Sequence, residues 1–254
     1  MKAFVISLRF HWGYSIRTYF ASKMSDAYLI PPKSSIIGAI ARSISARNGS
    51  RVEYYIKDSK VMGSSALAYE NTIKDYAIKL EGYPLRFNTL LRLLVYPYWV
   101  TKFDIEKGES NFFNVVETGM VSYPGGLIRL LLVSETLEKE DLFSIIRLGS
   151  KESITSVVKI EEVTSISKKN KGEKIRDVTF SFNSDLAESI LGSFVYENTP
   201  EFDRYIYEFE LSRVDFRIEF KRNVIPQPFV RVVLKSDCYL YETPYGNAIL
   251  EYGT

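Results

Sequence analysis

Residues 28–42, Tyr-Leu-Ile-Pro-Pro-Lys-Ser-Ser-Ile-Ile-Gly-Ala-Ile-Ala-Arg, join an extended segment directly to an apolar helix. Proline fixes φ and biases the residue before it away from helical geometry, so Ile30 and Pro31 approach straight and no helix begins earlier. Ser34 is the expected N-cap, its hydroxyl placed to accept a backbone N–H of the first turn. Ile36, Ile37, Ile40 and Ile44 recur on one face of a 3.6-residue period, which predicts a helix over 35–46. Asn48-Gly49-Ser50 stops it, glycine being the common left-handed terminator. Gly38 costs that helix about 1 kcal/mol against alanine, and close backbone packing is a reason to keep it. The free N–H groups of residues 33–36, beside Lys33 and the hydroxyls of Ser34 and Ser35, form an expected anion site. A capped core helix with no ligand is the competing reading.

The totals bound what surrounds this stretch. A chain of 254 residues fits one elaborated domain, or one domain and a smaller one. A hydrophobic content of 46% is that of a globular protein with a full core. The longest apolar run, 127–133, is broken by Arg129 and is far too short to span a bilayer. At the N-terminus, Ser7 and Arg9 break the apolar stretch a signal peptide needs, so a cytoplasmic protein without membrane contact is expected. One cysteine, Cys238, excludes an intrachain disulfide and a cysteine-rich zinc site. No metal and no cofactor are expected.

Net charge is +2, yet residues 1–51 carry eight lysines and arginines against one acid, Asp26. That segment is +7 and the rest of the chain −5. Such asymmetry points toward phosphates. His11, Trp12, Tyr14, Tyr19 and Phe20 lie among these cations, and aromatics stack on unpaired bases while cations hold the backbone. The alternative is a basic face that only keeps the protein in solution.

In chain order, 3–10 reads as a strand, 11–29 as a long loop, and 60–69 as a second strand. Residues 70–122 form a long excursion with strand-like arms at 90–100 and 111–121 and a charged hairpin tip at 103–110. Tyr123-Pro124-Gly125-Gly126 is a turn, 127–134 a buried strand, 136–149 a helix and 155–163 a strand. Beyond a basic loop tip at 168–174 come short strands at 177–182, 204–210, 216–220, 229–234 and 238–241, with a short helix at 184–191. The expected fold is α+β. Residues 1–165 form a ferredoxin-like βαββαβ sheet backed by two helices, with a thumb-like insertion at about 70–122, and residues 166–254 form a β-rich part.

Three of these motifs resemble the "Cas five" family, RAMP-type subunits of the CRISPR Cascade surveillance complex. They are Ile30-Pro31-Pro32-Lys33-Ser34-Ser35 leading to Gly38, the turn and strand Gly125-Gly126-Leu127 to Val133, and the loop Arg147-Leu148-Gly149-Ser150-Lys151. The likeness covers residues 1–165, and the isoleucine-, lysine- and tyrosine-rich texture suggests an archaeal type I system. Family members bind the 5′ handle of the CRISPR RNA and cap the filament of backbone subunits, with a thumb between their second and third strands. The resemblance thus implies CRISPR RNA, backbone subunits and the large subunit of Cascade as partners. It also implies RNA contacts at Arg9, His11, Trp12, Arg17, Lys33, Ser34, Ser35 and Lys151, with Tyr123 and Arg92 as further candidates.

No catalytic residue is expected. Some family members cleave precursor RNA by activating a ribose 2′-hydroxyl, which calls for a general base and a group that stabilises developing charge. Those members carry a Lys-His pair in mid-chain, whereas here His11 is the sole histidine. Tyr19 or Tyr28 with Lys33 leaves a metal-independent endoribonuclease as one alternative, and a protein-only assembly scaffold is another.

Overall fold

The computed structural model describes residues 1–16, 18, 24–49, 54–57, 60–94, 113–149, 153–201 and 220–253. Along the chain, β1 (Lys2–Phe10) and α1 (Lys33–Arg47) lead to β2 (Ile73–Glu81) and then the arms β3 (Leu85–Leu94) and β4 (Phe113–Ser122). After them come β5 (Leu127–Ser134), the single-turn α2 (Lys139–Leu142) and β6 (Thr155–Glu162). The remainder comprises β7 (Ile166–Lys169), β8 (Lys174–Val178), the long β9 (Ala187–Pro200) and β10 (Phe220–Leu234), β11 (Cys238–Thr243) and β12 (Gly246–Leu250).

The first sheet has the order β6-β1-β5-β2, every neighbour antiparallel. The run Leu127-Ile128-Arg129-Leu130-Leu131-Leu132-Val133 lacks alternation because its strand is buried on both faces, as central strands of covered sheets are. Ile6, Leu130 and Ile78 stand in register and join α1 in one core. One residue along, Val5, Leu131 and Ala77 join Phe180, Tyr241, Ala248 and Leu250 in a second core on the opposite face. That face is covered by the second sheet, ordered β7-β11-β12-β8-β10 and ending on Phe182–Asn183, with β9 paired to β10. Ser181 donates its N–H to the carbonyl of Ile78 at 2.7 Å and accepts the N–H of Ile78 on its hydroxyl at 3.0 Å. The edge of β2 is thereby engaged, which protects it from pairing with other chains. Arg129, mid-strand on β5, forks onto Glu81 at 2.8 and 3.1 Å, donates to Ser7, and lies 4.0 Å above the Tyr245 ring.

Several expectations are corrected. The helix is Lys33–Arg47, with Pro32 as its N-cap in extended geometry and no side-chain cap. The Pro32 carbonyl accepts from Ser35 and Ile36 at 3.0 and 3.3 Å, which draws Ser34 into the first turn, where it is buried. Residues 60–69 do not form the sheet's second strand: Lys60–Ser64 pairs with Tyr54–Lys57 in a local hairpin, and Ser65–Tyr69 is a 3-10 turn. The second strand is β2, hidden in sequence because its polar residues are used in place. Lys74 pairs with Glu135 at 3.5 Å, Lys79 donates to the Tyr245 carbonyl at 2.6 Å, and Glu81 holds Arg129. The excursion therefore begins at Gly82, and its arms β3 and β4 pair from Leu85↔Ser122 to Leu94↔Phe113. Its expected tip lies outside the described residues, as do most of the strands expected at 204–210 and 216–220.

Of the helix expected at 136–149 only Lys139–Leu142 is helical, closed by reciprocal bonds between Glu138 and Asp141. Farther on, Thr155 donates to the Ile146 carbonyl and Arg147 bridges Ile154, so the chain has already turned into the ladder that starts β6. The helix expected at 184–191 is a 3-10 turn, Ser184–Leu186, followed at once by β9. The loop tip at 168–174 begins as strand β7.

Candidate nucleic-acid interface

The amino end of α1 is covered by the carboxyl-terminal half of the chain. The N–H groups of Leu29 and Ile30 each donate to the carboxylate of Glu197, both at 2.8 Å, and Arg86 pairs with the same group. Glu197 is 8% exposed, and burial pushes its carboxyl above the usual range against the pull of those donors. The anion beside the Pro-Pro entry is thus the protein's own. Lys33 is half-buried, its ammonium pKa lowered by burial, in a cleft with Lys74, Asp75, Tyr76, Glu201, Lys221 and Glu251. That cleft holds about 30 Å³ and carries as many carboxylates as lysines. It is room for about one water, not for a phosphate. Ser34 is buried, and the Ser35 N–H is spent on Pro32. None of these three forms an open anion site.

The cleft instead sets a pH dependence. Burial raises the Asp75 carboxyl to about 6, opposed by N–H bonds from Tyr76 at 2.8 Å and Glu251 at 2.9 Å and by Lys221. The folded chain then binds this proton more tightly than the unfolded one. The associated stability is fully present below the unfolded aspartate range and is lost as pH rises through about 6, by roughly 1–3 kcal/mol. Urea unfolding across that window should show Asp75→Asn gaining on the wild type as pH rises. A constant difference would refute the burial argument.

The exposed candidates gather at the other end of β1. Arg9 is exposed at the strand's end, opposite Leu127 on one side and Ser156 on the other. His11 donates its N–H to the Ile154 carbonyl at 3.3 Å, and its Nε2 lies 2.8 Å from the Ser156 hydroxyl. The Trp12 carbonyl accepts the N–H of Tyr123 at 3.0 Å, and Gly13–Tyr14 pairs with Ser122 and Val121. Gly13 has φ +142°, and a Cβ there would overlap the Val121 carbonyl oxygen. The backbone under Trp12 is therefore pinned, while the indole is 71% exposed. Tyr123 is not available for stacking: it is 5% exposed, its ring lies over Gly126, and its hydroxyl donates to the carbonyls of Glu81 and Leu127.

The structure adds a residue that sequence reasoning passed over. Arg147 is exposed and bridges Ile154, the residue whose carbonyl holds His11. The loop after it turns at Gly149, φ +114°, where a Cβ would press on Ile16 and Ser153. The Arg147-Leu148-Gly149 signal is present in the sequence, where Arg147 has no local mark that sets it apart from Lys151. Arg17, Lys151 and the side chain of Arg92 lie outside the described residues. Arg9, His11, Trp12 and Arg147 thus share one edge, a cationic and aromatic surface fit to hold a phosphate backbone and stack a base. Among the described residues no three His, Cys, Asp or Glu side chains cluster to hold a metal ion, and no helix is long and apolar enough to cross a membrane.

No family model matches the chain. Among named proteins it is 28% identical over 164 residues to "CRISPR-associated protein Cas5 3" of Saccharolobus solfataricus, a match covering 61% of this chain and 63% of that one. It is 27% identical over 160 residues to "CRISPR system aCascade subunit Cas5 1" of the same organism, with the same coverage. The chain thus matches less than two thirds of the length of either relative. In fold it is similar to a CRISPR protein from Archaeoglobus fulgidus, with TM-score 0.61, 20% identity, and 99% of this chain and 100% of that one covered. It is also similar to a chain of a CRISPR RNA-guided surveillance complex, with TM-score 0.52, 12% identity and coverage of 90% and 91%. In sequence the chain is thus similar to CRISPR-associated Cas5 proteins of Saccharolobus solfataricus, in line with the resemblance its motifs carry.

Proposed function

We propose that this chain is a non-catalytic, CRISPR RNA-binding subunit of a type I Cascade complex, gripping the 5′ handle and capping the backbone filament in the cytoplasm of an archaeon. Its first sheet, in the order fourth-first-third-second along the chain with α1 on one face, supports a ferredoxin-like reading of the fold. The observation that carries the reading is Trp12, a large apolar side chain held out into solvent on a pinned backbone beside Arg9, His11 and Arg147. An exposed indole in a cationic setting is suited to stack an unpaired base. The hairpin base, with Tyr83 and Leu85 exposed at 84% and 69%, suits contact with neighbouring subunits.

The test is handle RNA titrated against pure protein over a salt series. Trp12→Ala should weaken binding by about 1–3 kcal/mol, the usual worth of one stacked base. Arg9→Gln should lower the slope of log affinity on log salt by about one. In the same tubes the RNA should stay intact in chelator, and cleavage would instead favour a metal-independent ribonuclease. No binding by the wild type, with subunits still captured, would favour a protein-only scaffold.

A further inference from the structure

A cavity of about 180 Å³ lies between α1, the start of the Ser65–Tyr69 turn and Arg147. From α1 it is lined by Gly38, Ala41, Arg42 and Ser45, spaced i, i+3, i+4 and i+7 on one helix face. The opposite wall is Ser64, Ser65 and Ala66. Ala41 and Ala66 are buried, at 1% and 3%, and form an apolar floor. Two guanidinium-bearing side chains and three serines complete the lining, and no carboxylate lines it among the described residues. The cavity has about six times the volume of the cleft beside Lys33. Guanidinium groups match phosphate oxygens with paired donors, and hydroxyls supply the further bonds such an anion accepts. Arg147 belongs both to this cavity and to the edge that carries His11 and Trp12.

We propose that the Arg42–Arg147 cavity seats a phosphoryl group of the RNA strand whose base stacks on Trp12. This rests on the RNA-binding reading above. Gly38 then has a purpose beyond helix packing, since it keeps the wall of the cavity open.

Handle RNA is titrated over a salt series against wild type, Arg42→Gln, Arg147→Gln and the double variant, with thermal unfolding of each as a fold control. Each single change should weaken binding about 10- to 150-fold, the range for a hydrogen bond to a charged group, and should lower the salt slope by about one. Ser45→Asp, which leaves both arginines in place and puts a like charge in the cavity, should weaken binding as well. Wild-type binding with an unchanged double variant would overturn the proposal and leave the RNA-binding reading standing. No wild-type binding would remove both. A parallel calorimetric titration uses inorganic phosphate alone. Saturable binding that the double variant loses, with RNA affinity unaltered, would assign the cavity to a free anion and overturn the strand assignment.

Discussion

Glu197→Ala is expected to destabilise the fold by about 2–6 kcal/mol, because it strips the acceptor from two buried backbone donors at about 1–3 kcal/mol each. The carboxylate is the sole anion in the structure given to two consecutive backbone donors ahead of α1, Leu29 and Ile30, among the described residues. Its removal leaves both N–H groups buried without an acceptor and withdraws the Arg86 partner. Each unsatisfied buried donor costs about 1–3 kcal/mol, and that cost outweighs the relief of no longer burying a charge. The lost contact also joins the entry to α1 with β9, 168 positions later, so it is non-local and cannot be restored by a shift within one element. Urea unfolding followed by circular dichroism should show a lower midpoint. Glu197→Gln, which keeps one acceptor oxygen and the side-chain volume, should lose less than half as much. Equal losses for Ala and Gln would mean that charge, not the number of acceptors, holds this corner. A loss under about 1 kcal/mol, the size of a surface substitution, would mean that the corner is open in solution and free for an external anion.

That corner marks the limit of what sequence showed. The helix after Pro31-Pro32 was legible because its signals are local: fixed φ at the prolines, isoleucines on one face, Asn-Gly at the end. Its ligand was not, because the group that meets those N–H donors comes from Glu197, a residue with no local mark of its role. The same division runs through the rest of the chain. The arms of the excursion are legible as strands over the parts described, 90–94 and 113–121, whereas β2 is hidden because Lys74, Asp75, Lys79 and Glu81 break its alternation. Each of those charges is satisfied by a distant partner: Glu135, the Glu251 N–H, the Tyr245 carbonyl and Arg129. The helix expected at 136–149 failed for a related reason. Its apolar spacing is real, with Leu142, Ile145 and Leu148 buried, but the ladder to β6 captures residues 146–148 before a second turn forms. At the proposed interface, Arg9, His11 and Trp12 stood out by residue type. That Trp12 points outward while Tyr123 turns inward depends on the pairing of Gly13–Tyr14 with β4, which no local pattern announces.

Leu131→Ala should cost about 2–5 kcal/mol, and Leu130→Ala the same, because large-to-small changes in close-packed cores lose both transfer energy and filled volume. The pair tests the central architectural claim. Leu130 faces α1 and Leu131 faces the second sheet, and each is fully buried in its own row, Ile6-Leu130-Ile78 or Val5-Leu131-Ala77. A sheet with one covered face would show alternation and would tolerate one of the two substitutions. Here neither should be tolerated, since Phe180, Tyr241 and Leu250 fill the second side as isoleucines of α1 fill the first. Both variants should also unfold in one transition, with far-ultraviolet circular dichroism and tryptophan fluorescence coinciding, because the two sheets share a core and lose it together. Should Leu131→Ala cost less than about 1 kcal/mol while Leu130→Ala costs several times more, the carboxyl-terminal sheet would be a loosely seated cover. The Glu197 contact at the amino end of α1 would then lose support as well, because β9 is joined to that sheet by its pairing with β10.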